Sequence, residues 1–179
     1  YNKGDGYVSP MDLIKIYSNG IGTSIDKDKA IRILREYAKG NFPISANNVA
    51  WFIATTDNMD LETPDYAVEL AETVTRDIRF KDSYVYVDTL AAAYAAAGQF
   101  DKAIDKQKQA IEILEQTGTE QQKRDLESFY ERLNDFEQGK LPVYDDIKVD
   151  EATLFKNMKN GLERTLLNVL RYATYEPGN

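Results

Sequence analysis

Thirty carboxylates in a chain of 179 residues are the side chains best placed to do chemistry. Other reactive types are scarce: there is no histidine and no cysteine. That removes the commonest general base near neutral pH, the commonest metal ligand, thiolate nucleophiles and disulfides. Carboxylates alone leave cation binding, or the paired acid and base work that cleaves glycosidic bonds, which needs two carboxyl groups roughly 5 to 9.5 Å apart. The run Asp57-Asn-Met-Asp-Leu-Glu62 has the acidic density of a calcium loop. It lacks that loop's glycine at the sixth position and glutamate at the twelfth, so the expectation is a solvated interhelical loop. Asp26-Lys-Asp-Lys29 is too short for a metal site, and capping together with the helix dipole accounts for an acid at a helix start. No glycine-rich phosphate loop follows a strand, and no segment has strand periodicity. These features predict a protein that is not an enzyme and holds neither metal nor cofactor. A carboxylate-dependent glycan-active enzyme stands as the contrasting reading.

The formal charge of −8 excludes a nucleic-acid surface, since neutralising phosphates requires clustered Lys and Arg. No window approaches the roughly 18 consecutive apolar residues of a membrane span, so membrane insertion is not expected. The chain starts at Tyr1 rather than Met and has no cysteine. That leans towards an exported protein, with periplasm and cytoplasm both open.

Apolar residues recur at helical spacing nearly throughout, and the gaps between periodic stretches are short and rich in caps. Ser9-Pro10 predicts a first helix running through Leu13, Ile14 and Tyr17 to stop near Gly20 and Gly22. Asp26 predicts a second over Lys27 to Lys39, and Pro43 and Ser45 a third containing Val49, Ala50, Trp51 and Ile53. Thr63-Pro64 opens a fourth, Asp82 or Ser83 a fifth, and Asp101 a sixth. Thr119 with Gln122 forms a capping box for a seventh, with Leu126, Phe129, Tyr130, Leu133 and Phe136 on its inner face. Tyr17, Tyr66 and Tyr94 fall where helix pairs need a large side chain with a polar tip.

Ser83 to Glu115 resembles a tetratricopeptide repeat, with Leu90, Ala91, Tyr94, Gly98, Phe100, Ala103 and Ala110 at the positions that family fills with large or small residues. Small Ala91 and Ala103 allow two helices to nest, while Leu90, Tyr94 and Phe100 fill the surrounding space. Val87, Gln107 and Glu115 depart from the family pattern, and are expected to be variation at the edges of that contact. Asn47 to Val74 resembles the same repeat with a few residues inserted between its helices, a form common in bacterial members, and places Ala50 and Ala67 at the close contact. Upstream, Tyr17, Gly20, Gly22, Asp26, Lys29, Ala30 and Ala38 resemble a Sel-one-like repeat.

The resemblance implies an all-α, right-handed superhelical solenoid of about three helical hairpins, near residues 10–40, 44–78 and 83–116, closed by a capping helix over 120–138. By register, Lys15, Asn47, Trp51, Thr55, Asp88 and Ala92 would line its concave groove. The implied partner is a protein, taken as an extended peptide or a helix. Asn47 and Asp88 would hold its backbone, and Trp51 would serve as an apolar anchor. The competing reading wedges Trp51 between hairpins, away from any ligand. Beyond a linker at 139–150, an amphipathic helix over 151–173 is expected, with Leu154, Phe155, Met158, Leu162, Leu166 and Leu170 along one side. Such a stripe needs cover. The solenoid itself is the first expectation, a homodimer through this segment the second, and occupation of the groove the third.

Overall fold

The computed structural model describes residues 9–56 and 61–141. Every regular element among them is helical. The residues fall into two units, 9–41 and 42–141. The linker beyond Leu141, the helix expected over 151–173 and most of the Asp57–Glu62 loop lie outside the described residues.

The first unit is a helix pair, α1 (Pro10–Asn19) and α2 (Lys27–Lys39), whose members pack on each other. Ser9 starts α1 with a complete capping box: its hydroxyl accepts from Asp12 N at 3.1 Å, and its own N–H donates to Asp12 Oδ2 at 3.0 Å. Pro10, with φ already helical and no N–H to lose, occupies the first turn. Gly20 ends the helix at φ 69°, where a Cβ would meet Ile25 Cγ1 at 2.9 Å, so both conformation and space require glycine. Asp26 Oδ1 accepts from Lys29 N at 2.9 Å and starts α2. Lys29 then lays its ammonium 4.0 Å from the centre of the Tyr17 ring, and Ala30 is fully buried. The spacing Asp26, Lys29, Ala30 thus joins a cap, a cation–π contact and a small buried side chain within one turn. Ser9→Ala should cost about 0.5 to 2 kcal/mol. Faster amide exchange confined to the first turn of α1 is the expected readout, and unchanged protection there would contradict the capping role.

The second unit comprises α3 (Ile44–Thr55), α4 (Pro64–Arg76), α5 (Tyr84–Ala96), α6 (Phe100–Thr117) and α7 (Leu126–Glu137), with a 3-10 turn over Gln122–Asp125. The centre is α5, which packs against α3, α4 and α6. Nine consecutive residues, Val87 to Ala95, are buried in it. A helix covered on all sides needs no polar stripe, which is why the Ala-rich run Ala91-Ala-Ala-Tyr-Ala95 suits this place. Ala91 and Ala103, on which the nesting of α5 and α6 was expected to depend, are both fully buried.

Several expectations need correction. Thr63 and Ser83 stand at the starts of α4 and α5, yet neither side chain makes a capping bond. Ser45 does not open α3 but lies inside it, fully buried, with no hydrogen-bond partner for its hydroxyl among the described residues. The capping box of Thr119 and Gln122 forms, but it opens the 3-10 turn, and α7 begins only at Leu126. Tyr130 is 48% exposed rather than inward, its hydroxyl donating to Glu115 at 2.7 Å. The inner face of α7 is instead Phe129, Arg132 and Phe136. Phe129 joins Val87, Ala110, Ile111 and Leu114 in one apolar cluster, with Tyr84 packed alongside.

Candidate functional site

The polar centre of the second unit lies where α5, α6 and α7 meet. Asp88 enters from α5 with 6% of its surface exposed, Gln107 from α6 with none, and Arg132 from α7 with 7%. Arg132 holds the carboxylate with one edge of its guanidinium: Nε donates to Oδ1 at 2.9 Å and Nη2 to Oδ2 at 3.1 Å. Gln107 Nε2 donates to Asp88 Oδ1 at 2.9 Å and to the Phe129 carbonyl at 3.1 Å. The guanidinium carbon lies 4.5 Å from the Phe129 ring centre and 5.7 Å from that of Trp51. One cation is therefore paired at its edge and stacked on aromatic surface, an arrangement suited to a planar, weakly hydrated guanidinium and not to an ammonium.

Burial dominates the electrostatics. Loss of water raises the Asp88 carboxyl above its ordinary range, and Arg132 and the Gln107 amide act against that rise. Gln107 is thus not an edge variation of the repeat pattern. It sits at the centre of the inner face of α6, and its amide ties three helices together. Its Oε1 has no hydrogen-bond partner among the described residues.

No protein-family model, curated protein or solved structure matches the chain. The chemistry of this centre therefore has to be taken from its own geometry. Both Asp88 oxygens and the three nitrogens of Arg132 and Gln107 that meet them are engaged with each other, which describes a lock between helices. Among the described residues, no group of three or more acidic side chains gathers as a metal would need. No helix among them is long and apolar enough to cross a membrane.

The residues expected along a groove fall out unevenly. Trp51 and Asp88 are brought together through Arg132, which touches both. Trp51 is half-buried, whereas Asn47, Thr55 and Ala92 are buried. The Thr55 hydroxyl is turned back onto the Trp51 carbonyl at 2.8 Å. Asp88 accepts from Arg132 and Gln107 as described, so the backbone-holding role expected of it meets a carboxylate already held by its own chain. Lys15 lies on α1, in the other unit, and is half-buried.

Arg132 and Gln107 were not among the residues expected at the site, although a signal for both is present. Position 132 lies between Phe129 and Phe136 on the helical wheel, and position 107 lies amid Ala103, Ala110 and Leu114. A charge in the middle of one apolar stripe, with an acid in the apolar run of α5, indicates a buried pair, because neither ion can be left alone.

Proposed function

We propose that the chain is a non-catalytic scaffold of the tetratricopeptide kind, binding a peptide or a partner helix on the face where α3, α5 and α7 come together. Support for the repeat reading comes from the second unit, where α5 touches α3, the first helix of the preceding pair, as well as α4 and α6. A helix that contacts the next but one in sequence is what successive stacked hairpins require. The alanines that the family resemblance assigns to close contacts, at 50, 67, 91 and 103, are all buried, which supports that reading.

The observation that carries the binding proposal is Trp51. It is a large aromatic left half-exposed in α3 and steadied by a guanidinium itself fixed to Asp88. A rigid, partly open aromatic held beside a charged group is the type of side chain that dominates protein interfaces. The fully buried neighbours supply the backing rather than contacts to a ligand.

Trp51→Ala tests this, and Tyr130→Ala, on an exposed surface of α7, serves as the control. Truncating an interface anchor costs about 2 kcal/mol or more, close to thirtyfold in affinity. Partners captured by the full chain should be lost with Trp51→Ala and kept with Tyr130→Ala. Equal capture by both variants removes this face from the account.

A further inference from the structure

The start of α3 and the link between α4 and α5 form an apolar edge of the second unit. Among the described residues of this unit six large apolar side chains are strongly exposed, and four of them, Phe42, Ile44, Ile78 and Val85, fall within the segments 42–44 and 78–85. Aromatic rings join the two segments: Phe42 lies 6.1 Å from Phe80, and Phe80 lies 5.8 Å from Tyr86, both pairs edge to face. Apolar residues scattered singly over a surface mean little, but a contiguous patch needs cover. The charge pattern is as uneven as the apolar one. Residues 42–56 carry no charge, and residues 77–86 carry two bases, Arg79 and Lys81, and two acids, Asp77 and Asp82. Each base pairs with an acid of the same segment, Arg79 Nη2 with Asp77 Oδ2 at 2.6 Å and Lys81 Nζ with Asp82 Oδ2 at 3.3 Å. The Arg79 guanidinium also lies 4.9 Å from the Phe80 ring centre. Its bonds to Asp77 lower that carboxyl to about 2, so the pair stays matched at any physiological pH. The two segments therefore sum to zero, two bases less two acids, and the whole formal charge of −8 lies elsewhere in the chain.

We propose that two copies of the chain associate through this edge as a two-fold dimer, with Phe42, Ile44 and Ile78 of one copy meeting the same residues of the other. Two chains of net charge −8 repel wherever their acidic surfaces meet, and the repulsion is least where each presents no net charge. The same neutrality leaves nothing on the edge to select a charged partner or an anionic lipid headgroup, since both need unmatched charge of the opposite sign. A two-fold contact needs only a patch that complements itself, as apolar side chains do. Rings already held edge to face by one another also lose little freedom on being covered. The two segments offer fewer residues than the roughly 20 to 30 a side of a standard interface, so the dimer is weak, with a Kd of about 100 µM. Association here does not depend on the Trp51 reading or on residues 151–173.

The test is sedimentation equilibrium of the full chain from about 10 µM to about 1 mM, a range that brackets this Kd. The weight-average mass should climb from that of one chain towards that of two. The climb should be steeper at about 0.5 M than at about 0.05 M NaCl, because salt screens the remaining repulsion and leaves the apolar contact intact. Ile78→Lys and Ile44→Lys, at positions 74% and 49% exposed, should each raise Kd about tenfold or more with helicity by circular dichroism unchanged, since each brings a cation into an apolar contact. Tyr130→Lys, an equally drastic change at an exposed ring of α7, should leave Kd at the wild-type value. A chain still monomeric at the highest concentration overturns the proposal, and so does a dimer that survives both isoleucine variants, which would place the contact elsewhere. A dimer weakened by salt overturns it as well, since that is the mark of a contact made by ion pairs. Cosedimentation of a monomeric chain with phosphatidylcholine vesicles, lost in Ile78→Lys, would give the edge to a bilayer and overturn it likewise.

Discussion

Replacing Arg132 with methionine is expected to cost the full chain about 3 to 5 kcal/mol of stability, the usual penalty for stranding one member of a buried ion pair. Domains of this size hold about 5 to 15 kcal/mol in all, so the loss would consume a large share of it. The reason is the environment of Asp88. With Arg132 gone, the carboxylate keeps one amide donor, Gln107 Nε2, inside a helix whose neighbours are Val87, Thr89 and Leu90, all buried. Removing both charges together should do less harm than removing one. In Asp88→Asn with Arg132→Met, the new amide oxygen still accepts from Gln107 and no ion is left uncompensated. Urea unfolding of the wild type, both single variants and the double variant would measure the coupling, expected at about 0.5 to 3 kcal/mol in favour of the double. Strictly additive losses would mean that Asp88 and Arg132 stabilise the fold separately.

The same pair has a pH signature whose sign follows from the direction of the Asp88 shift. Burial raises its folded value above the ordinary 3.8, so the native state holds this proton more tightly than the unfolded chain does. Its contribution to stability is complete below the unfolded value and is lost as pH rises through the folded one. Arg132 opposes that rise, so Arg132→Met should displace the Asp88 value further upward. The deficit of the variant relative to wild type should then be smallest near pH 4 and grow towards neutrality. A deficit that is flat with pH would show that Asp88 does not titrate in the native protein.

Much of the helical layout is legible in the sequence because local chemistry sets helix ends. Ser9 with Pro10, Gly20, Asp26 and Pro64 act within one turn of themselves, and each stands at a boundary of an observed helix. Burial of α5 is equally legible, since an unbroken apolar run of this length in a helical chain has no solvent face to offer. What is less legible depends on partners distant in sequence. Tyr130 and Arg132 are two residues apart, and hydrophobicity alone assigns the first to the inner face of α7. The structure turns Arg132 inward because Asp88, 44 positions away, is waiting for a cation. Gln107 likewise looks like a weak repeat position until Asp88 and the Phe129 carbonyl lie within reach of its amide. The candidate site was therefore half visible. Trp51 and Asp88 could be named from repeat register, but the link between them is a tertiary fact.

Phe129→Ala should destabilise the second unit by about 3 to 5 kcal/mol, the range for deleting a buried aromatic side chain. The ring fills the apolar cluster with Val87, Ala110, Ile111 and Leu114. It also lies 6.0 Å from the Tyr84 ring and 4.5 Å from the Arg132 guanidinium. Alanine would leave a cavity under α7 and would take away one of the two aromatic surfaces that hold Arg132 over Asp88. Leu114→Ala, in the same cluster, should cost about 2 to 5 kcal/mol, and Phe129 alone of the two stacks on Arg132, so the two variants separate packing from orientation. In Phe129→Ala, hydrogen exchange should accelerate throughout α7 and at Asp88. In Leu114→Ala it should accelerate in α6 and at the cluster while Arg132 remains engaged. Because α7 meets the rest of the unit chiefly through α6, its release is expected to precede global unfolding in the first variant. A loss below about 1 kcal/mol for Phe129→Ala, with α7 still protected, would show that α7 is held by something other than this ring, and the Trp51 face would then lose its fixed edge.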